Sequence, residues 1–379
     1  MSSNKKSEQL AKKGRLISLD ALRGFDMFWI IGAGALASGL VDLNLPLSSG
    51  IAHQLSHSKW NGFTFYDLIF PLFVFITGVS SAISLKKRME REYDSKEVVM
   101  HIIKRTVILF LVGIIYYDQI TFPPHLGRIR IMGVLQRIAI CYFFASILIL
   151  YTKPKVQAFA VASILIGYWA IMRFVPVPGH GAGIWTEQQN LARYIDNLWL
   201  PGRLFYGGWD PEGLLTTIPA IATCLLGVLS GYWLMSADWL AGKTLDEKRR
   251  AAYLYLAGLT LVILGIIIDP FFPINKNLWT SSFVLLTGGL SAILLAMSYW
   301  LIDIEGFRLQ AFPFMVIGLN SIFIYFAVRF IPFEKITGWI ISQYTHLGRA
   351  QTLISGLLAL SIEGLILYAL YRRKIFVRI

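Results

Sequence analysis

Apolar runs broken by short polar or charged stretches recur from residue 17 to residue 371. A helix needs about 20 mainly apolar residues to cross lipid, and ten segments meet that test: about 17–40, 63–85, 105–122, 130–151, 156–175, 213–235, 251–269, 279–301, 311–331 and 351–371. All ten are predicted as helices, because lipid offers backbone N–H and C=O groups no other partner. The pattern predicts an all-α fold, a polytopic membrane helix bundle with both termini cytoplasmic. One membrane domain is expected over 16–371, between tails at 1–15 and 372–379.

Composition agrees with this class. The chain is 56% hydrophobic and 15% charged, and its mean hydropathy is positive, which excludes an ordinary soluble domain. Most of the 35 Lys and Arg fall on segments that share one side when both ends are cytoplasmic, as the positive-inside rule requires. The net charge of +13 therefore reads as topology and contact with anionic lipid, with Lys86-Lys87-Arg88 and Arg372-Arg373-Lys374 beside span ends. No nucleic-acid partner is expected. The first run ends in Ala35-Leu36-Ala37, as a cleaved signal would, but Asp20, Arg23 and Asp26 interrupt it. It is read as a retained span.

Cys141 and Cys224 lie within predicted spans and are read as packing residues, with no disulfide framework. No repeat or low-complexity linker divides the chain. The longest polar connection, about 176–212, holds Trp185, Tyr194, Trp199 and Trp209, which are expected to anchor the outer surface.

Sorted by side, the inner loops are Lys- and Arg-rich, as solvated anchoring segments should be, whereas four outer connections end in compact polar clusters. The first carries His53, His57, Lys59, Trp60 and Asn61, and the second carries His125, Arg128 and Arg130. The third is Trp209-Asp210-Pro211-Glu212-Gly213, and the fourth is Pro273-Ile274-Asn275-Lys276-Asn277-Leu278-Trp279.

His57 is the leading catalytic candidate, since an imidazole titrates near neutrality and can accept and return a proton during acyl transfer. Trp60 can restrict water and Asn61 can donate to a developing oxyanion. His53 and His57 are spaced like paired metal ligands, but Gln54 stands where a zincin needs glutamate, so no metal is expected.

Asp67 falls just inside the second span, before Phe70-Pro71, where proline favours a kink. An intramembrane carboxylate is costly and is usually functional or paired. Orienting His57 and pairing with Arg128 or Arg130 are both open. Arg137 lies about a third of the way across the fourth span, where a lone charge costs roughly 2.5–3.5 kcal/mol. It needs either a phosphate-bearing ligand or a pairing with Asp20, Asp26, Asp67 or Asp210. Asp20 and Arg23, at i and i+3, are expected to pair with each other. Gly318-Leu319-Asn320-Ser321 can supply helix–helix hydrogen bonds or line a tunnel.

Six stretches together resemble one family. They are RLISLDALRG (15–24), HSKWNGFTFYDLIFPLFVFITG (57–78), RIRIMGVLQRIAICY (128–142), DPEGLLTTIP (210–219), PINKNLWTSSFV (273–284) and GLNSIFIY (318–325). In this order they resemble the heparan-α-glucosaminide N-acetyltransferase family of transmembrane acyltransferases. The resemblance implies transfer of acetyl from cytosolic acetyl-CoA, as co-substrate, to the amine of a glucosamine-type sugar outside, and it suggests a homodimer. The family's active-site histidine falls on His57. The abrupt start at RLISLD resembles the bacterial branch and implies a bacterial cytoplasmic membrane. Where the lysosomal form carries a catalytic-site asparagine, this chain has Ile30-Ile31-Gly32-Ala33-Gly34, and Asp26, Asn61, Asp67 or Asn277 can substitute.

On this reading His57, Asn61 and Asp67 are catalytic, and Trp60, Asp210, Glu212, Asn275, Lys276 and Asn277 contact the acceptor. Arg128, Arg130, Gln136, Arg137, Asn320 and Ser321 serve the acetyl-CoA side or structure. A transporter of N-acetylglucosamine or a related amino sugar is the competing reading, since intramembrane charges and Gly- or Pro-interrupted helices suit either function.

Overall fold

A computed structural model describes residues 16–44, 46–90, 94–117, 129–235, 245–344 and 347–377. Among these, nine helices are long and apolar enough to cross a membrane, and one sharply bent pair adds a tenth span if counted as one. The chain is a multi-pass helix bundle.

The helices are α1 (Ile17–Leu43), α2 (Ser48–Gln54), α3 (Ile69–Met89), α4 (Ser95–Tyr117), α5 (Val134–Tyr151), α6 (Pro154–Phe174) and α7 (Leu191–Trp199). They continue with α8 (Leu214–Met235), α9 (Glu247–Ile268), α10 (Ser281–Ser298), α11 (Arg308–Leu319), α12 (Ser321–Phe330), α13 (Phe333–Tyr344) and α14 (Gln351–Arg372). A 3₁₀ turn, Phe65–Leu68, precedes α3, and a π turn, Tyr299–Ile304, extends α10.

Local chemistry sets several starts. Pro154 occupies the first turn of α6, where its missing N–H is no loss. The Asn190 and Thr280 side chains accept the Arg193 and Phe283 N–H groups at the starts of α7 and α10. Pro71 also falls in a first turn, that of α3, so no interior hydrogen bond is lost and the expected kink gives way to the 3₁₀-to-α transition.

Small residues set the closest crossings. A methyl group on Gly24 would strike the Phe314 carbonyl, and one on Gly318 would strike the Asp20 carbonyl, so α1 and α11 cross backbone to backbone. The ninth predicted span, 311–331, is interrupted: α11 and α12 meet at Asn320 with a 63° bend. The third is helical from Ser95, ten residues before the expected start at 105, because charged residues extend it beyond the apolar stretch.

Candidate functional site

The turn between α2 and α3 folds around one carboxylate. Asp67, fully buried, accepts the Ser58 and Thr64 N–H groups through Oδ2, at 3.1 Å each. Its Oδ1 lies 2.9 Å from Nδ1 of His57. A carboxylate only accepts, so His57 turns Nδ1–H towards it. The α9–α10 turn then brings Lys276 over the ring, with Nζ 2.9 Å from both imidazole nitrogens and 3.9 Å from Asp67. Equal distances to both nitrogens place the ammonium above the ring face, out of the plane of the nitrogen lone pairs. Tyr66 stacks on the same imidazole at a centroid distance of 4.6 Å. The in-plane lone pair of Nε2 remains for a substrate proton.

Burial pushes the Lys276 ammonium down to about 8, against the pull of Asp67 and Glu212. It is therefore charged at neutral pH and neutral a little above it. Asn275 donates to Asn61 at 3.0 Å and accepts the Leu278 N–H, which ties the 273–279 turn to the His57 turn. Asn277 lies half-buried on that turn. Trp279 holds φ at 49°, a conformation costly for a bulky residue, and its indole donates to Thr223. Trp60 donates to the Trp185 carbonyl at 2.8 Å and packs edge-on against Trp209.

Asp210 and Glu212 are clamped by Arg130. Its guanidinium bonds both Asp210 oxygens at 2.7 and 2.6 Å and Glu212 at 2.5 Å, between the rings of Tyr117 and Phe205. Burial opposes the charge on Arg130, but the two carboxylates more than offset it. Burial also pushes the Glu212 carboxyl up, with Arg137 and Arg130 opposing. One residue that sequence reasoning missed completes this corner. Asp196 accepts the Asp210 and Leu214 N–H groups, and burial raises its carboxyl to about 7. Its position in an aromatic connection gave no cue beyond its lone charge.

Arg137 meets none of the four aspartates proposed for it. It donates to the Pro211 carbonyl and Thr216 hydroxyl and lies 4.8 Å from the Trp279 ring centre, while Nε and Nη1 find no partner among the described residues. Gln136 is fully buried with both amide atoms unpaired among the described residues. Asp20 and Arg23 approach to 3.5 Å. Arg128 and His125 lie outside the described residues.

Two cavities lie end to end through this architecture. The outer one, about 180 Å³, is lined by His57, Tyr66, Glu212 and Lys276 at its polar end. The inner one, about 230 Å³, holds Arg23, Thr77, Ser80, Arg105 and Ser321. Phe73, Leu135, Ile138 and Ile322 line both, so the cavities abut across a shared apolar waist.

Fold and site define a multi-pass membrane protein with a His–Asp–Lys cluster at one end of two abutting cavities. Residues 15–122 match a family described as a domain of unknown function (DUF5009). The chain is 28% identical over 419 residues to heparan-alpha-glucosaminide N-acetyltransferase of Homo sapiens, covering 96% of this chain and 60% of the human one. With the Mus musculus protein of the same name it shares 29% over 377 residues, covering 85% of this chain and 56% of the mouse one. The resemblance read from the six motifs thus extends over nearly the whole chain, which spans about three fifths of the length of these relatives.

Proposed function

We propose that this chain is a transmembrane N-acetyltransferase that moves acetyl from acetyl-CoA on the Lys- and Arg-rich face to the amine of a glucosamine-type sugar on the opposite face. The membrane concerned is a bacterial cytoplasmic membrane. The observation that carries this reading is the pair of abutting cavities, cationic at the inner end and ending at His57 outside. Acetyl-CoA is too charged to cross lipid. Its nucleotide stays by Arg23 and Arg105, whose guanidinium groups suit phosphate, and the pantetheine arm threads the apolar waist.

At the outer end the acceptor amine attacks the thioester carbonyl. His57 takes the amine proton on Nε2 and returns it to the departing thiolate, so amine and thioester become amide and thiol with no net gain or loss of protons. Asp67 holds the imidazole in the tautomer this requires. Lys276 and Asn61 stabilise the oxyanion of the tetrahedral intermediate. Trp60 and Trp209 give the sugar ring an apolar face.

The test is label transfer from acetyl-CoA to glucosamine by purified protein, with uptake of labelled amino sugar into proteoliposomes measured in parallel. Transfer is expected. Uptake without acetyl-CoA, together with no transfer, would establish the transporter instead.

The Lys276 role predicts a pH dependence. Its folded value, about 8, lies below the ordinary 10.5, so the charge is present at neutral pH and is lost as pH rises through 8. The kcat/KM of the native protein should fall on the alkaline side relative to Lys276→Gln, whose profile lacks that limb. Taking the ratio of the two profiles cancels titration of the acceptor amine. A ratio that stays flat from pH 7 to pH 9 sinks the role.

A further inference from the structure

We propose that the segment following α14 is a strap that closes the inner cavity, that Asn320 is its latch, and that the thioester donor enters when the latch opens. The donor part rests on the acetyltransferase reading, whereas the latch rests on geometry alone. After Arg372 the chain does not run straight out of the bundle. Lys374 adopts a left-handed conformation, φ 58°, and the N–H groups of Lys374 and Ile375 return to the carbonyls of Tyr371 and Leu370.

The reversed segment meets Asn320 at the α11–α12 bend. Asn320 is fully buried, and its amide clasps the strap at two points: Nδ2 donates to the Ile375 carbonyl at 3.1 Å, and Oδ1 accepts the Val377 N–H at 2.8 Å. Val377 then forms part of the wall of the inner cavity, with Arg23 and Arg105. The residue that interrupts a membrane span therefore gives both ends of its side chain to this one segment. An exposed backbone break within lipid is unfavourable unless its groups are satisfied. Here the break presents an amide whose two ends, among the described residues, bond only the strap.

Most of the strap is exposed. Lys374, Ile375 and Val377 lie open while Phe376 is half-buried with a contact of its own, and segments with little buried apolar area open far more readily than the fold as a whole. At its root stand Arg372, Arg373 and Lys374, also exposed. The segment that closes the cavity thus follows directly on a cationic stretch, whose charge is complementary to the phosphates of a nucleotide thioester. Opening admits the acyl arm, and closing retains it while transfer proceeds outside.

Two latch variants test this: Asn320→Ala, and a chain stopped after Lys374. Each carries Thr77→Cys as a reporter inside the inner cavity, which is a clean site because Cys141 and Cys224 are fully buried. A charged maleimide is applied from the inner face of proteoliposomes. Both variants should label about tenfold faster than the latched protein, reflecting a larger open fraction. Acetyl-CoA association and dissociation should accelerate together, leaving the equilibrium affinity less changed than either rate. Unchanged labelling in both variants, at an unchanged thermal midpoint, overturns the latch. Faster labelling in proteins that bind no acetyl-CoA supports the strap as a closure and overturns donor entry along with the acetyltransferase reading. If Asn320→Ala fails to fold, the shortened chain alone decides.

Discussion

His57→Ala should leave the bundle folded and lower acetyl transfer by about 10²–10⁴-fold, the range attributed to a positioned general base. The imidazole sits on an exposed turn, so its loss removes little packing. The charge left behind is Asp67, which still accepts the Ser58 and Thr64 N–H groups and has Lys276 3.9 Å away. Free imidazole should restore part of the rate, because the vacated space lies between Tyr66 and Lys276 at the cavity wall. Asp67→Asn isolates orientation from basicity. An amide can present its NH₂ group to Nδ1 and so favour the wrong tautomer, and a comparable carboxylate replacement elsewhere costs about 10⁴-fold. The two variants should therefore both be slow, with rescue by imidazole confined to His57→Ala. A folded His57→Ala protein with near-native turnover would remove His57 from the chemistry.

The bundle was legible because lipid imposes one demand on every span, and a run such as Leu214–Met235 meets it without reference to the rest of the chain. Pairings were legible only where they are local. Asp20 with Arg23 is one helical turn, and Asp67 with His57 is a ten-residue loop whose alternatives stayed open. Lys276 reaches His57 across 219 positions, and nothing in a single sequence encodes that contact. Arg137 shows the converse. Its charge demanded a phosphate-bearing ligand or an aspartate, and among the described residues a carbonyl, a hydroxyl and an indole face meet only part of that demand. Two further features depend on tertiary geometry. Pro71 favours a kink by sequence, yet the 3₁₀ turn capped by Thr64 and Asp67 runs into the helix at Ile69 and leaves Pro71 in a first turn. Asn320, open by sequence to helix–helix bonding or to lining a tunnel, clasps residues 375–377, a contact that needs the chain to reverse.

Arg130→Ala should be the most destabilising single change in the outer half of the molecule. The guanidinium is almost wholly buried and makes three bonds at 2.5–2.7 Å to two buried carboxylates, one of which, Glu212, also reaches the outer cavity. Removing one partner of such a pair leaves uncompensated buried charge, at a cost of about 3–5 kcal/mol. Here it strands Asp210 and Glu212 together, and the flanking rings of Tyr117 and Phe205 lose the group between them. Arg130→Lys should recover only part of this, because a point charge cannot reproduce a fork that spans both acids. Acid should help the Ala variant. Burial already pushes Glu212 up, and a carboxyl raised on folding contributes stability at low pH that is lost as pH rises through its folded value. The gap in thermal midpoint between native protein and variant should therefore narrow as pH is lowered. Adding Asp210→Asn and Glu212→Gln to Arg130→Met should also restore part of the midpoint, since the two carboxylates are then no longer stranded, although buried Arg137 loses them as neighbouring counter-charges. A native midpoint for Arg130→Ala in detergent would show that the triad does not hold the outer turn, and a gap that does not change with pH would show that stranded carboxylates are not the cause of the loss.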